Sequence, residues 1–165
     1  MKKLSRTEHP VSGLFTLLLF AVFALFLMLM LLFSARVYKN TVENSQSETA
    51  LGTAAAYITT KFRQHDTPDS IFTGELNGNS ALCFRDSLNG QDYITYIYLD
   101  NGNLKELFTP ENSGANASAG TAIAALKDFR IQDQGDGFYH ITLQSTKGTT
   151  EEFYLHSSAP QKEAS

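Results

Sequence analysis

The chain has 165 residues, which allows one domain of ordinary size, or one small domain with an attachment segment. Its formal net charge is −4 and 42% of its residues are hydrophobic, but the apolar residues are concentrated near the N-terminus. No charged residue or histidine occurs between His9 and Arg36. That uncharged window argues against a freely soluble cytosolic protein.

Residues 14–35 are predicted to form a transmembrane helix. The apolar run 11–35 would be roughly 37 Å long as a helix, whereas a hydrocarbon core is about 30 Å thick. A cleaved secretory signal peptide is the alternative, but its apolar region is typically about 7–15 residues long. The run also ends at Phe33 rather than at a small residue, so a retained helix is favoured.

Residues 1–13 are predicted to be a basic cytoplasmic leader. Lys2, Lys3 and Arg6 precede the apolar run, and two cations, Arg36 and Lys39, follow it. This small bias, together with the absence of a second apolar run, predicts a cytoplasmic N-terminus and an extracellular C-terminal domain in the cell membrane.

The sequence after residue 39 is acidic. It carries eight cations and sixteen acids, whereas residues 1–39 carry five cations and one acid. An acidic domain repels phosphate backbones, so no nucleic acid partner is expected.

Residues 36–65 are predicted to continue the helix as an amphipathic segment. Small and apolar residues recur at steps of three and four from Val42 to Phe62, and alanines favour a helix. Pro68 follows the end of this pattern. One long helix from about residue 13 to residue 65 is expected, with Gly52 as a point where it could bend.

Residues 66–158 are predicted to form an antiparallel β-rich domain, because the pattern changes to period two and Asn-Gly turns separate the runs. The predicted strands are 70–75, 81–87, 93–100, 103–109, 128–133, 138–145 and 152–157. Residues 112–120 are predicted to be a flexible loop, and residues 159–165 a disordered tail. Residues 122–127 fit either a helical turn or the start of a strand. The expected fold class is α+β, with the amphipathic helix covering the apolar face of the sheet.

The strand at residues 93–99 is apolar or aromatic on both faces, which predicts a central position in the sheet. Tyr96 and Tyr98 share one of these faces. They either cover the sheet or form an exposed interaction surface for a protein or ligand.

No catalytic motif, metal site or cofactor-binding motif is recognised, so an enzyme is not expected and no cofactor is implied. His140 and His156 lie on the polar faces of predicted strands and could be cross-strand neighbours, but no third ligand has suitable spacing. Asp133 and Asp136 flank a glycine-rich turn without the spacing of a calcium loop. The single cysteine, Cys83, cannot form an internal disulfide and is expected to be a small buried residue.

The N-terminal region resembles the cleavage region of type IV prepilins and pseudopilins. A basic leader ends in Gly13, and Leu14 and Phe15 begin a Leu-Phe-Thr-Leu-Leu-Leu run. The layout, a long helix followed by an antiparallel sheet, is similar to minor pseudopilins of Gram-positive bacteria, and to a group of single-pass bacterial membrane proteins without an assigned function. The resemblance implies processing between Gly13 and Leu14 by a prepilin peptidase, and assembly with other pilin-like subunits.

Leu18 departs from the family pattern. If the chain is cut after Gly13, Leu18 is the fifth residue, where the family usually has a glutamate that pairs with the N-terminal amine of a neighbouring subunit. A leucine removes both the cost of a buried charge and the pairing. This departure is compatible with a tip or initiating subunit, or with a protein that does not enter a filament.

Two functions are therefore expected from the sequence. The first is a membrane-anchored, pilin-like structural or assembly protein with an exported β-rich head. The second is a stand-alone extracytoplasmic binding or sensor domain held at the membrane by a single helix.

Overall fold

The computed structural model describes residues 10–159, and the side chains of residues 13–159. The predicted leader lies outside the described residues up to residue 9, and the predicted tail lies outside them from residue 160. The chain divides into two units, Met1–Glu43 and Asn44–Ser165.

The first element is one helix, α1, Pro10–Gln64. The prediction of a long helix is confirmed, and the helix is continuous through Gly52. From residue 13 to residue 41 every side chain is exposed. In the second unit, by contrast, α1 buries Leu51, Ala54, Ile58 and Phe62, which follow one another at steps of three and four.

Eight strands follow α1 and form two antiparallel sheets. The strands of the first sheet, in spatial order, are β1 Ile71–Leu76, β2 Asn79–Leu88, β3 Gln91–Asp100, β4 Asn103–Pro110 and β5 Thr121–Ala125. The strands of the second sheet are β6 Asp128–Gly135, β7 Phe138–Gln144 and β8 Thr150–His156. The α+β class and the packing of the helix on a sheet are confirmed, and β3 is central in its sheet as predicted.

The Asn-Gly turns fix the register of the first sheet. Leu76 pairs with Asn79, so Asn77 and Gly78 are the two turn residues, and both have positive φ (49° and 85°). This is the backbone of a two-residue hairpin turn, which asparagine and glycine tolerate best. Two further Asn-Gly turns join β2 to β3 and β3 to β4 in the same way.

Two features of the β-rich domain go beyond the prediction. Of the two alternatives for residues 122–127, the strand is the one observed, since residues 121–125 form β5, which pairs with β4 across a bulge at Leu104/Lys105. The alanine-rich sequence has weak strand propensity, so the pairing decides its conformation. The eight strands also form two sheets in place of the single predicted sheet. The chain passes from the first sheet to the second at Leu126 and Lys127. Leu126 N donates to Gly102 O in the first sheet, and Lys127 N donates to Gln144 O in the second.

The main core lies between α1 and the inner faces of both sheets. Its sheet residues are Ile71, Leu82, Phe84, Ile97, Leu104, Phe129, Tyr139, Ile141, Leu143 and Leu155. The Tyr139 hydroxyl donates to Ile71 O at 2.8 Å and fastens the second sheet to the edge of the first. Burial raises the pKa of Tyr139 to about 12, so this hydroxyl keeps its proton at neutral pH.

The segment 112–120 is held in place by hydrogen bonds and by a buried residue, which corrects the expectation of a flexible loop. It contains a short 3-10 helix, Ala117–Ala119, and Ala117 is buried in a smaller core on the opposite face of the first sheet. Ala117 N donates to Asn77 Oδ1 at 2.6 Å, and Ala117 O accepts from the Tyr98 hydroxyl at 2.6 Å. These two bonds tie the segment to a turn and to the central strand.

Candidate functional site

A polar cleft of about 550 Å³ lies beside the C-terminal end of α1, above strands β2, β3 and β4. Its volume is in the range of small-molecule sites. It is lined by Lys61, His65, Asp86, Thr95, Glu106, Leu107, Phe108, Ala119 and Thr121. Four of these side chains are ionisable, and they form two pairs.

The first pair is centred on Glu106. Lys61 Nζ lies 2.6 Å from Glu106 Oε1, and the Tyr57 hydroxyl donates to Glu106 Oε2. Both charged side chains are about one quarter exposed, at 26% and 21%. Burial, and then the hydrogen bond to Glu106, raise the pKa of Tyr57, so the phenol remains a donor. Glu106 is thus held by two donors on one side of the cleft.

The second pair joins the residue that follows α1 to strand β2. His65 Nδ1 lies 2.8 Å from Lys61 O, and since a carbonyl only accepts, this nitrogen carries a proton. His65 Nε2 lies 3.2 Å from Asp86 Oδ2, and the ring stacks on Phe84 at 4.8 Å between centroids. The cleft therefore places two basic side chains, Lys61 and His65, beside two carboxylates, Glu106 and Asp86.

Each carboxylate of the cleft already contacts a basic side chain, Glu106 that of Lys61 and Asp86 that of His65. Sequence reasoning missed the cleft, although Tyr57, Lys61 and His65 lie four residues apart and must share one helix face. That four-residue spacing was the available signal for the helix side of the cleft. The acidic partners, Asp86 and Glu106, come from strands that are distant in the sequence.

Tyr98 is not part of an exposed surface. It is fully buried and its hydroxyl donates to Ala117 O under the segment 112–120, so its ring covers the sheet, the first of the two predicted alternatives, and Tyr98 does not contribute to an exposed interaction surface. A Cβ at Gly120 would lie 2.2 Å from that hydroxyl, so the position requires glycine. Tyr96 is half-buried on the same face, where it packs with Phe72 and Leu107 against the smaller core.

Cys83 is fully buried in that smaller core, as predicted. Burial raises the pKa of its thiol to about 12, and Arg85 lowers it only in part. The thiol is therefore protonated and unreactive at neutral pH.

The two strand histidines are cross-strand neighbours on β7 and β8, as predicted, in diagonal rather than directly opposed positions. His140 lies opposite Tyr154 and stacks on its ring at 4.5 Å, and His156 lies opposite Phe138 at 4.2 Å. Across the described part of the chain, no three His, Cys, Asp or Glu side chains are grouped to hold a metal ion.

The residues associated with processing lie on α1 in the first unit. Gly13 has open space around it, and Leu14 and Leu18 are 68% and 59% exposed. Within the described residues, one helix is long and apolar enough to cross a membrane, by length and composition. Its exposed large apolar side chains extend from Leu14 to Tyr38. These properties indicate a membrane-anchored protein with a single apolar helix and a β-rich domain.

No curated protein matches the chain, and no solved structure matches it. One family model does match, that of the Domain of unknown function (DUF4860), over residues 49–146. The match covers the last four turns of α1 and strands β1 to β7, and it includes all the residues that line the cleft. Because this is more than half of the sequence, the chain belongs to the DUF4860 family.

Proposed function

We propose that this protein is a membrane-anchored, pilin-like structural or assembly subunit of the minor pseudopilin type, with an exported head and no catalytic activity. The observation that carries the proposal is α1 itself. One helix exposes apolar side chains on all sides from Leu14 to Phe33, and its last turns form the core of an α+β domain. A helix of this kind anchors a subunit through its first part and organises the head through its second.

The proposed topology places the N-terminus in the cytoplasm and the head outside the cell. The proposed partners are a prepilin peptidase, which would cut between Gly13 and Leu14, and other pilin-like subunits that pack laterally in the membrane. Lateral packing in lipid depends on van der Waals contact and on small residues that allow close approach. Thr16, Ala21, Ala24 and Ser34 are the small residues available for such contact.

Leu18 refines the proposed role. A subunit that inserts into the body of a filament would gain from a carboxylate that pairs with a neighbour's amine, whereas a subunit at the tip has no such requirement. An uncharged residue at this position therefore supports a tip or initiating role rather than a major structural one.

The test is the N-terminus of the chain in cells that contain a prepilin peptidase, measured by intact mass. We expect a chain that begins at Leu14, and an uncut chain for Gly13→Ala. Gly52→Ala is the matched control, since Gly52 is also an exposed helical glycine with nothing within 4 Å. An uncut wild-type chain would contradict the proposal.

The polar cleft favours a second candidate function, a stand-alone extracytoplasmic binding or sensor domain. A site of about 550 Å³ with the Lys61–Glu106 ion pair and the His65–Asp86 contact would hold a small polar ligand rather than a subunit surface. Native mass spectrometry of the detergent-extracted protein should then show a bound small molecule, which Thr121→Tyr would displace by filling the cleft. Detection of the unliganded protein alone, at the lowest detergent and collision energies, would count against this second function.

A further inference from the structure

Among the four sheet edges in the part of the chain that the structure describes, the outer edge of β8 is the one best suited to pair with another strand. β1 uses Ile71 O as an acceptor for Tyr139, β5 has only five residues and a bulge beside it, and β6 is interrupted by a bulge at Asp133/Gly135. β8 has seven residues and a regular register with β7, and contains no proline, lysine or bulge. Such an edge is a ready partner for another strand.

The register shows which backbone groups of β8 face the open side. Ser145 N donates to Thr149 O, and Ser157 N donates to Gly137 O, so the odd-numbered residues between them bond to β7. The amide and carbonyl groups of Glu152, Tyr154 and His156 therefore point away from β7. The Ser157 hydroxyl and the amides of Ser158 and Ala159, which donate to Asp66, lie beyond the strand, so these three bonds do not use the outward-facing backbone groups of β8.

The side chains of the same three residues stand on the solvent face. Glu152 is 58% exposed and Tyr154 is 68% exposed, and His156 is also exposed. The intervening residues, Phe153 and Leu155, face the main core. An acidic residue, Glu152, and a basic residue, His156, thus lie two residues before and two residues after Tyr154.

We propose that two copies of this chain join through their β8 strands, antiparallel and centred on Tyr154. In this register Tyr154 lies opposite Tyr154 of the second copy, and each Glu152 lies opposite a His156. On the inner face each Phe153 lies opposite a Leu155. The arrangement is two-fold symmetric, so every favourable cross-strand pair occurs twice.

Neighbouring antiparallel registers are poorer. Centring on Glu152 would place two carboxylates opposite each other, which is destabilising, and centring on Phe153 would leave Glu152 opposite Tyr154 without a charged partner. Parallel, in-register pairing would also stack each Glu152 on its copy. The Tyr154-centred register joins two three-stranded sheets into one continuous sheet of six strands.

Cysteine cross-linking of the full-length chain in native membranes tests the contact. Opposed residues in a hydrogen-bonded antiparallel pair have Cα atoms about 5.5 Å apart, within the roughly 4.4–6.8 Å that a disulfide spans. Tyr154→Cys should therefore form a disulfide-linked dimer under mild oxidation. The matched control is Arg130→Cys, which is exposed on the same face but lies on β6, at the opposite edge. The buried Cys83 remains in both variants, and the unmodified chain gives its background.

We expect at least about tenfold more dimer for Tyr154→Cys than for Arg130→Cys. Equal yields would overturn the proposal, and so would a cross-link of Tyr154→Cys to a different polypeptide in place of the dimer. Circular dichroism of each variant confirms that the head is folded, and Tyr154 is exposed enough for its loss to be tolerated.

The register has its own test. Co-expressed Glu152→Cys and His156→Cys chains should cross-link to each other, whereas Glu152→Cys alone should not, because its counterpart lies about 14 Å away along the strand. Efficient self-linking of Glu152→Cys would contradict the Tyr154-centred register. The proposal does not depend on pilin-like processing, since the N-terminal mass and the β8 cross-link are read out separately.

Discussion

From residue 13 to residue 41 α1 exposes every side chain, including all the leucines and phenylalanines from Leu14 to Phe33, whereas from Leu51 to Phe62 it buries one apolar stripe. Both parts are helical, and the difference lies in the arrangement of apolar residues around the axis. A helix that is apolar on all sides requires lipid or protein around it, while a stripe requires only one covering surface. The two parts of α1 therefore serve two environments, and the first three variants below each change one part and have their control in the other.

The largest effect is expected from shortening a buried residue of the stripe. Phe62 is 2% exposed and packs edge-to-face on Tyr139 with ring centroids 5.5 Å apart. Phe62→Ala should lower the free energy of unfolding of the head by about 3–5 kcal/mol, from lost burial and the cavity left behind. The measurement is denaturant unfolding of the full-length chain in detergent, followed by tyrosine circular dichroism. Phe26→Ala, in the exposed part, should leave that transition unchanged, and an equal shift would contradict the comparison.

The next largest effect, on membrane insertion, is expected from a charge placed in the exposed apolar part of α1. Leu25 lies near the middle of the apolar run, where an arginine costs about 2.5–3.5 kcal/mol to insert. Leu25→Arg should shift part of the protein from the membrane fraction after alkaline extraction. Thr49→Arg, on the exposed side of α1 in the second unit, is the control and should remain fully membrane-bound. Equal extraction of the two variants would count against a membrane span at this segment.

A smaller effect is expected in the polar cleft. Tyr57→Phe removes the hydrogen bond to Glu106, and since bonds to charged groups contribute about 1.5–3 kcal/mol when buried, we expect a loss of about 1–2 kcal/mol at this half-buried position. Chemical denaturation measures it. Tyr38→Phe is the control in the first unit, where the side chain is 73% exposed. A Tyr57→Phe variant as stable as the wild type would show that this bond does not hold α1 to β4.

The smallest effect depends on pH. The hydrogen bond from Ser157, followed by those from the amides of Ser158 and Ala159, lowers the pKa of Asp66 below its usual 3.8 although burial opposes the shift. A carboxyl with a lowered pKa stabilises the folded state above its unfolded pKa, and that contribution disappears as the pH falls through its folded pKa.

Asp66→Asn should therefore be less stable than the wild type at pH 7, and the difference should close as the pH falls below about 3.8. Thermal unfolding across this pH range measures it. Asp92→Asn, which removes an exposed carboxylate from the same unit, is the control for the change of residue type. A constant gap between wild type and Asp66→Asn at all pH values would show that the carboxylate charge is not the cause.

The sequence predicted the elements that local chemistry determines. The Asn-Gly turns, the alternating strands and the long helix were all readable, because turn residues and periodicity act over a few neighbours. For residues 122–127 a helical turn and the start of a strand both remained open, since the alanines of β5 form a strand only through pairing with β4. The division into two sheets was also hidden, because it depends on hydrogen bonds that Leu126 and Lys127 make to residues far along the chain.

The candidate site was less accessible to prediction. Tyr96 and Tyr98 share a strand face, but the sequence could not show that residues 112–120 fold over Tyr98. The cleft joins one helix face to Asp86 and Glu106, which lie on separate strands. Its existence depends on how the helix crosses the sheet, and the sequence pattern carries no direct signal for that crossing.

The measurement that tests the central claim most directly is labelling of single cysteines along α1 with a membrane-impermeant maleimide on intact cells. Cys83 is buried and provides a low background. A membrane-anchored helix with an exported head predicts no labelling at positions 20, 24 and 28, and strong labelling at the exposed positions 45, 49 and 60. Labelling at 24 or 28, or protection of all three head positions, would contradict the account.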